Sequence, residues 1–188
     1  MAVSAGDAAE ILDRLDAARV WYCVEGGWGV DALLEKQTRE HDDLDLGVPM
    51  EDVECVCASL AEFERNNDEW PSTVQLRDGR GRRVDCHPLA FDDQGDGWQA
   101  NLHGEPYRWP REPLAAHGRI HGREVRCISA ELQLLWHAHE GYDDVDWKDV
   151  RAVCDGFDLT APPELMVRPG FVAPKRTMAR VPEGEQAR

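Results

Sequence analysis

The chain has 188 residues, 42% hydrophobic with seven Trp, and a net charge of −16 at pH 7. That length supports one domain with a real core, or one domain plus a small helical appendage, and the composition excludes an intrinsically disordered chain. No apolar run approaches the ~20 residues of a membrane span, and the N-terminus has no basic segment followed by a hydrophobic one. The expectation is therefore a cytoplasmic protein without a membrane partner. So acidic a surface disfavours nucleic acid and suits a small cationic molecule. The six Cys include no C-x₂-C pair, and Cys55-x-Cys57 is too close for an unstrained bridge, so all six read as reduced, mostly core-filling thiols.

Ala8, Ile11, Leu12 and Leu15 recur at helical spacing, which predicts an opening helix over residues 5–18. The aromatic and β-branched run Trp21-Tyr22-Cys23-Val24 predicts a strand, which empties into a Gly26-Gly27 turn before a helix over residues 30–35. Asp31 falls in the first turn of that helix, where dipole compensation is favoured over anchoring Arg39 or the loop. After a polar connection over residues 36–39, Asp43-Leu44-Asp45-Leu46 alternates polar and apolar, the pattern of a half-buried strand. Asp43 and Asp45 then share one face while Leu44 and Leu46 enter the core. Pro49 ends this strand, and a helix over residues 51–65 is expected to bury Val53, Val56, Leu60 and Phe63. Residues 66–68 form a turn.

Residues 70–76 and 82–86 read as a hairpin around Asp78-Gly79-Arg80-Gly81, which delivers Asp85, with His87 on the same face. Residues 89–97 read as a loop that lacks the glycine and glutamate of a calcium loop. Residues 98–101 and 107–109 flank a second turn, where Trp98, Tyr107 and Trp109 suit either core or the wall of an acceptor pocket. A second hairpin over residues 118–128 leads to Ser129 as an N-cap, and Leu132, Leu135, Trp136 and His139 mark one face of the next helix. The rings of His137 and His139 point to different sides of that helix, so they form no metal pair. A last helix over residues 148–156 has Asp143, Asp144 and Asp146 at its positive end. Residues 160–188 are Pro-rich, carry five basic and three acidic side chains, and read as a tail. The expected division is a core over residues 1–128, helices packed on it over 129–159, and the tail.

Two carboxylates side by side on a strand repel each other unless a cation lies between them, and a divalent ion with hard oxygen ligands, Mg²⁺ above all, answers that need. A strand, a glycine turn and a helix N-terminus present N–H groups and a positive dipole end, which suits phosphate. Taken singly, the glycine turn is more often a mere chain reversal and the Asp-x-Asp pair more often a solvated face. Together they are what moving a nucleotidyl group from an NTP requires. Asp85, arriving on a neighbouring strand, would be the third carboxylate.

With Arg39 and His41 between the two halves, the chain resembles the nucleotidyltransferase superfamily of DNA polymerase β type, and within it antibiotic nucleotidyltransferases of the lincosamide and aminoglycoside 2″ kinds. The likeness rests on Gly26-Gly27-Trp28-Gly29-Val30-Asp31, Arg39-Glu40-His41-Asp42-Asp43-Leu44-Asp45-Leu46, Val84-Asp85-Cys86-His87-Pro88 and Arg126-Cys127-Ile128-Ser129, and it spans residues 8–157. It implies an α+β nucleotidyltransferase fold, a mixed β-sheet with flanking helices, a small C-terminal helical part and an irregular tail. It implies that Asp43 and Asp45 hold Mg²⁺, that Asp85 is the third carboxylate and takes a proton, and that Gly26, Gly27 and Trp28 cradle the triphosphate of ATP or another NTP. Arg39 or His41 would meet the phosphates, Arg39 preferred for its fork, and Lys148 is the basic candidate on the helical part. The implied acceptor is a hydroxyl of a lincosamide first and an aminoglycoside second, on a monomer or homodimer. The rival readings are an antitoxin-like nucleotidyltransferase that modifies a protein, and a catalytically silent nucleotide-binding module.

Overall fold

Ser4 opens the first helix, α1 (Ala5–Ala17), by accepting the Asp7 N–H at 3.1 Å while the Asp7 carboxylate returns to the Ser4 N–H, and Ala8, Ile11, Leu12 and Leu15 are buried beneath it. The computed structural model describes residues 2–66, 69–137 and 143–161. The chain continues through β1 (Cys23–Val24), α2 (Gly26–Leu34), β2 (Leu44–Pro49), a 3-10 turn (Met50–Asp52), α3 (Val53–Ser59), β3 (Phe63–Arg65), β4 (Val74–Asp78) and β5 (Arg83–Phe91). Then come β6 (Gly97–Gln99), β7 (Tyr107–Trp109), a 3-10 turn (Pro113–Ala115), β8 (Ala116–Ile120), β9 (Arg123–Cys127), α4 (Ala130–His137) and α5 (Asp144–Phe157).

The strands form one mixed sheet in the order β3-β4-β5-β2-β1-β9-β8, with β6 and β7 extending from the far end of β5. The β2–β5 and β1–β9 pairs are parallel and the others antiparallel. Because side chains alternate across a strand, Leu44, Leu46 and Val48 of β2 and Val84 and Cys86 of β5 enter one apolar cluster with α1 and α2. The opposite face carries Asp45, Asp85 and His87 at one end. Farther along it lies a second cluster of Leu89, Trp109, Leu114, Ile128 and Leu132. Gly47 is glycine because the Trp109 ring lies across it: a Cβ would sit 3.0 Å from that ring and 3.2 Å from Leu89. Among the described residues no helix is long and apolar enough to cross a membrane.

Several expectations change. The helix expected over residues 30–35 begins at Gly26, so the two glycines form its first turn, and Asp31 lies mid-helix. The helix expected over residues 51–65 stops at Ser59, because residues 63–65 pair antiparallel with β4 and backbone pairing in the sheet outweighs local helical periodicity. All four residues of its stripe, Val53, Val56, Leu60 and Phe63, are still buried. The loop over 89–97 shrinks to the turn between Phe91 and Gly97, tied by the Asp92 carboxylate accepting the N–H groups of Gln94 and Asp96 and of the Trp98 indole. On α4 Ala130, Gln133, Leu134 and His137 are buried against α2 and α5; of the expected face Leu132 is buried too, in the second cluster, while Leu135 is 58% exposed. All six cysteines are free; Cys23, Cys86, Cys127 and Cys154 are buried, whereas Cys55 is exposed. Asn67, Asp68, His139 and the tail from residue 162 lie outside the described residues.

Candidate active site

The parallel register of β2 and β5 sets Asp45 opposite Asp85. Both side chains rise from the same face, and Asp43, just before β2, joins them: one carboxylate oxygen of each lies within 4.8 Å of the others. Asp85 is buried and accepts a hydrogen bond from the Gln75 amide of β4 at 3.1 Å. Burial raises the pKa of Asp85, against the pull of Arg83 and His87. Burial pushes Asp45 further, up to about 7; His87 opposes the rise, and Glu25 and Asp85 add to it. Three hard oxygen donors in one spot, the charge of one of them disfavoured by its surroundings, fit a divalent cation.

The N-terminus of α2 abuts this triad. Glu25 hooks the strand by donating its backbone N–H to the Asp45 carbonyl at 3.1 Å, and Gly26 follows with φ +55°. A side chain at Gly26 would run into the Asp45 carboxylate, and one at Gly27 into the Arg39 guanidinium and the His41 ring. The glycines therefore bring helix backbone against the carboxylates, and the N–H groups of that first turn lack intrahelical acceptors. Such backbone donors can hold an anion, beside carboxylates that can hold a cation.

The other sequence candidates sort into two groups. Trp28 and His41 are each 2% exposed and pack with ring centroids 4.5 Å apart, tilted by 47°, behind the first turn rather than in it. His41 pairs through Nε2 with Asp31, whose carboxylate also accepts the Thr38 N–H at 2.9 Å. Asp31 therefore anchors the loop between α2 and β2, which corrects the dipole role expected for it. Arg39 lies against Gly27, at the edge of the first turn, held by a two-bond fork to Asp149 of α5 at 2.9 and 2.6 Å. Lys148 is exposed on α5, and the structure places it in no contact with the triad.

Glu25, Gln75, Arg83 and Asp149 join the site in addition to the residues expected from the sequence. Arg83 and Asp85 alternate on β5, so strand period alone sets them on one face; the Arg83 guanidinium pairs with Asp43 and reaches to 3.3 Å from Asp85. Glu25 pairs with Nδ1 of His87, which burial would discharge but the Glu25 carboxylate holds charged up to about 9. Asp149 is 110 residues from Arg39, and no sequence signal joins them.

A cleft of about 540 Å³ opens beside Glu25 and His87, walled by Tyr107, Trp109, Leu135 and Trp136. Trp136 meets Trp109 at 5.5 Å and the edge of Tyr107 at 5.7 Å. Of the three aromatics singled out from the sequence, Tyr107 and Trp109 line this cleft, and Trp98 turns away to Asp92. The exposure of Leu135 follows, because that side chain forms cleft wall rather than core.

A family model for aminoglycoside-2''-adenylyltransferase matches residues 7–152. A lincosamide resistance protein of Staphylococcus haemolyticus is 34% identical over 145 residues, covering 75% of this chain and 88% of that one. A 2''-aminoglycoside nucleotidyltransferase of Escherichia coli is 31% identical over 146 residues, 73% of this chain and 76% of the relative. In structure, the chain is similar to the lincosamide antibiotic adenylyltransferase LnuA with lincomycin bound, with a TM-score of 0.71 and 31% identity over 81% of this chain and 98% of that one.

Proposed function

Because the chain belongs to the aminoglycoside-2''-adenylyltransferase family, we propose that this nucleotidyltransferase moves AMP from ATP to a hydroxyl of a small antibiotic-like acceptor, a lincosamide in preference to an aminoglycoside, and releases pyrophosphate. The observation that carries the reading is the convergence of Asp43, Asp45 and Asp85 between a glycine-built helix N-terminus and an aromatic cleft.

Asp43, Asp45 and Asp85 would hold Mg²⁺, which when bound neutralises phosphate charge and activates the attacking oxygen. The first-turn N–H groups of Gly26, Gly27 and Trp28 receive phosphate oxygens, and Arg39 supplies a permanent positive charge at the edge of the cradle. The acceptor hydroxyl, presented from the cleft, attacks the α-phosphorus in line: the new O–P bond forms as the bond to pyrophosphate breaks, and pyrophosphate leaves with the electron pair. Asp85 takes the hydroxyl proton, a role that suits a carboxylate whose basicity burial has raised.

The cleft supports the acceptor preference. Its walls offer Tyr107, Trp109, Leu135 and Trp136, surfaces for an apolar body carrying few charges, and Glu25, the acidic residue lining it, is already paired with His87. Among the described residues lining the cleft, a polycation would find no unpaired carboxylate. The test is a mass-shift screen of lincomycin, clindamycin, tobramycin and kanamycin, each with ATP, GTP, CTP and UTP. The expected result is a gain of one AMP on the lincosamides. Modification of the aminoglycosides alone would reverse the preference, and no gain on any acceptor would overturn the reading.

A further inference from the structure

Arg83 stands where a cation is needed. Three carboxylates whose oxygens lie within 4.8 Å of one another repel strongly wherever solvent is partly excluded. The positive group in direct contact with them among the described residues is the guanidinium of Arg83, which pairs with Asp43 and comes to 3.3 Å from Asp85. The other cations nearby have their ion-pair partners outside the triad, Arg39 in Asp149 and His87 in Glu25.

The manner of attachment separates Arg83 from arginines that build the fold. Arg39 grips Asp149 with two hydrogen bonds, and Arg82, 4% exposed, is fixed to Asp78 at 2.7 Å and Glu10 at 3.1 Å. Arg83 is 38% exposed, and neither its Nε nor the facing Oδ1 of Asp85 has a hydrogen-bond partner among the described residues. It offsets part of the triad's charge, paired with Asp43 at one end while its Nε faces Asp85 without a hydrogen bond.

We propose that Arg83 is a displaceable counter-cation of the carboxylate triad. It steadies Asp43 and Asp85 before the metal binds, competes with a metal that arrives alone, and passes to the phosphate oxygens when metal and nucleotide arrive together. This rests on the metal-dependent reading of the triad given above. The guanidinium fork that leaves the carboxylates matches phosphate geometry, and a triphosphate seated against Gly26 and Gly27 brings anionic oxygens to the same rim. Arg83 would therefore act as a positioning residue that couples metal binding to nucleotide binding, so that the site charges fully only with both.

The test uses the full chain and two binding measurements. Mn²⁺ binding without nucleotide is followed by water-proton relaxation, and binding of the Mg²⁺ complex of α,β-methylene-ATP by calorimetry. Arg83→Gln should bind Mn²⁺ alone about five- to tenfold more tightly, the scale of losing one or two partly exposed competing ion pairs, and should bind the nucleotide complex more weakly by a similar factor. Arg83→Lys, which keeps the charge, should return both values toward those of the wild type. A purely structural arginine would shift both affinities in the same direction or neither. Unchanged or weaker Mn²⁺ binding by Arg83→Gln overturns the proposal, as does unchanged or tighter nucleotide binding or failure of the lysine variant to restore either. Asp45→Asn separates this from the site itself: if that variant binds Mn²⁺ as the wild type does, the carboxylate site falls, whatever Arg83 does.

Discussion

Asp45 is held in a place that disfavours its own charge. Burial drives its pKa to about 7, and two further carboxylates, Glu25 and Asp85, press in the same direction. A residue placed for fold stability would not be arranged this way, since the cost of such a carboxylate is relieved by neutralising it. Asp45→Asn removes that opposition while keeping the side chain's shape. Its expected outcome is a loss of turnover of about 10³-fold or more, the scale of losing transition-state charge stabilisation, with no loss of melting temperature in divalent-free buffer. A clear drop in that melting temperature would mean that Asp45 supports the fold rather than the chemistry.

At the scale of elements, the site is a joint between the start of α2 and the parallel pair β2–β5. The joint closes because Gly26 adopts φ +55° and has no Cβ to strike the Asp45 carboxylate. Gly26→Ala should therefore cost about 1–3 kcal/mol in denaturant unfolding, the range for a non-glycine residue forced into such backbone. It should also raise KM for the nucleotide, because the first turn can no longer approach the carboxylates. An alanine variant with wild-type stability and KM would show that the close approach is dispensable. The spacing of Gly26-Gly27 from Asp43 made this joint legible in the sequence, but as a turn followed by a helix. That the glycines are themselves helical became visible only once β2 was placed against them.

At the scale of the molecule, the C-terminal helices are tied to the core beside the start of α2 by Asp149, which reaches Arg39 by a fork and lies 3.7 Å from Nε2 of His137 on α4. Burial works against the charge on both Asp149 and His137, yet His137 and Arg39 hold Asp149 below its ordinary 3.8, while Asp149 and the Gln133 carbonyl hold His137 above its ordinary 6.5. A raised histidine contributes stability that is complete below 6.5 and is lost as pH rises through the folded value. A lowered aspartate contributes stability that is complete above 3.8 and is lost as pH falls through the folded value. The stability gap between wild type and His137→Gln should therefore shrink on going above pH 6.5, and the gap for Asp149→Asn should shrink on going below pH 3.8, both read from melting temperature against pH. Gaps that stay flat across both limits would place these residues outside the charge network.

The sequence by itself determined the strand carrying Asp45 with Asp43 at its start, the hairpin that delivers Asp85, the paired glycines at the start of α2 and the family likeness, because these are local patterns: alternation with period two, a turn signal, a run of residues short enough to read in one piece. Only the tertiary structure decided which strands are neighbours, and with that the register of Asp45 against Asp85, the fork between Arg39 and Asp149 across 110 residues, the role of Asp31 as a loop anchor, and the seat of Arg83. Side-chain pairing between distant segments leaves no period in a single chain. The same physics explains the early end of α3: residues 63–65 could satisfy their backbone in a helix or in the sheet, and the open edge of β4 settled the choice.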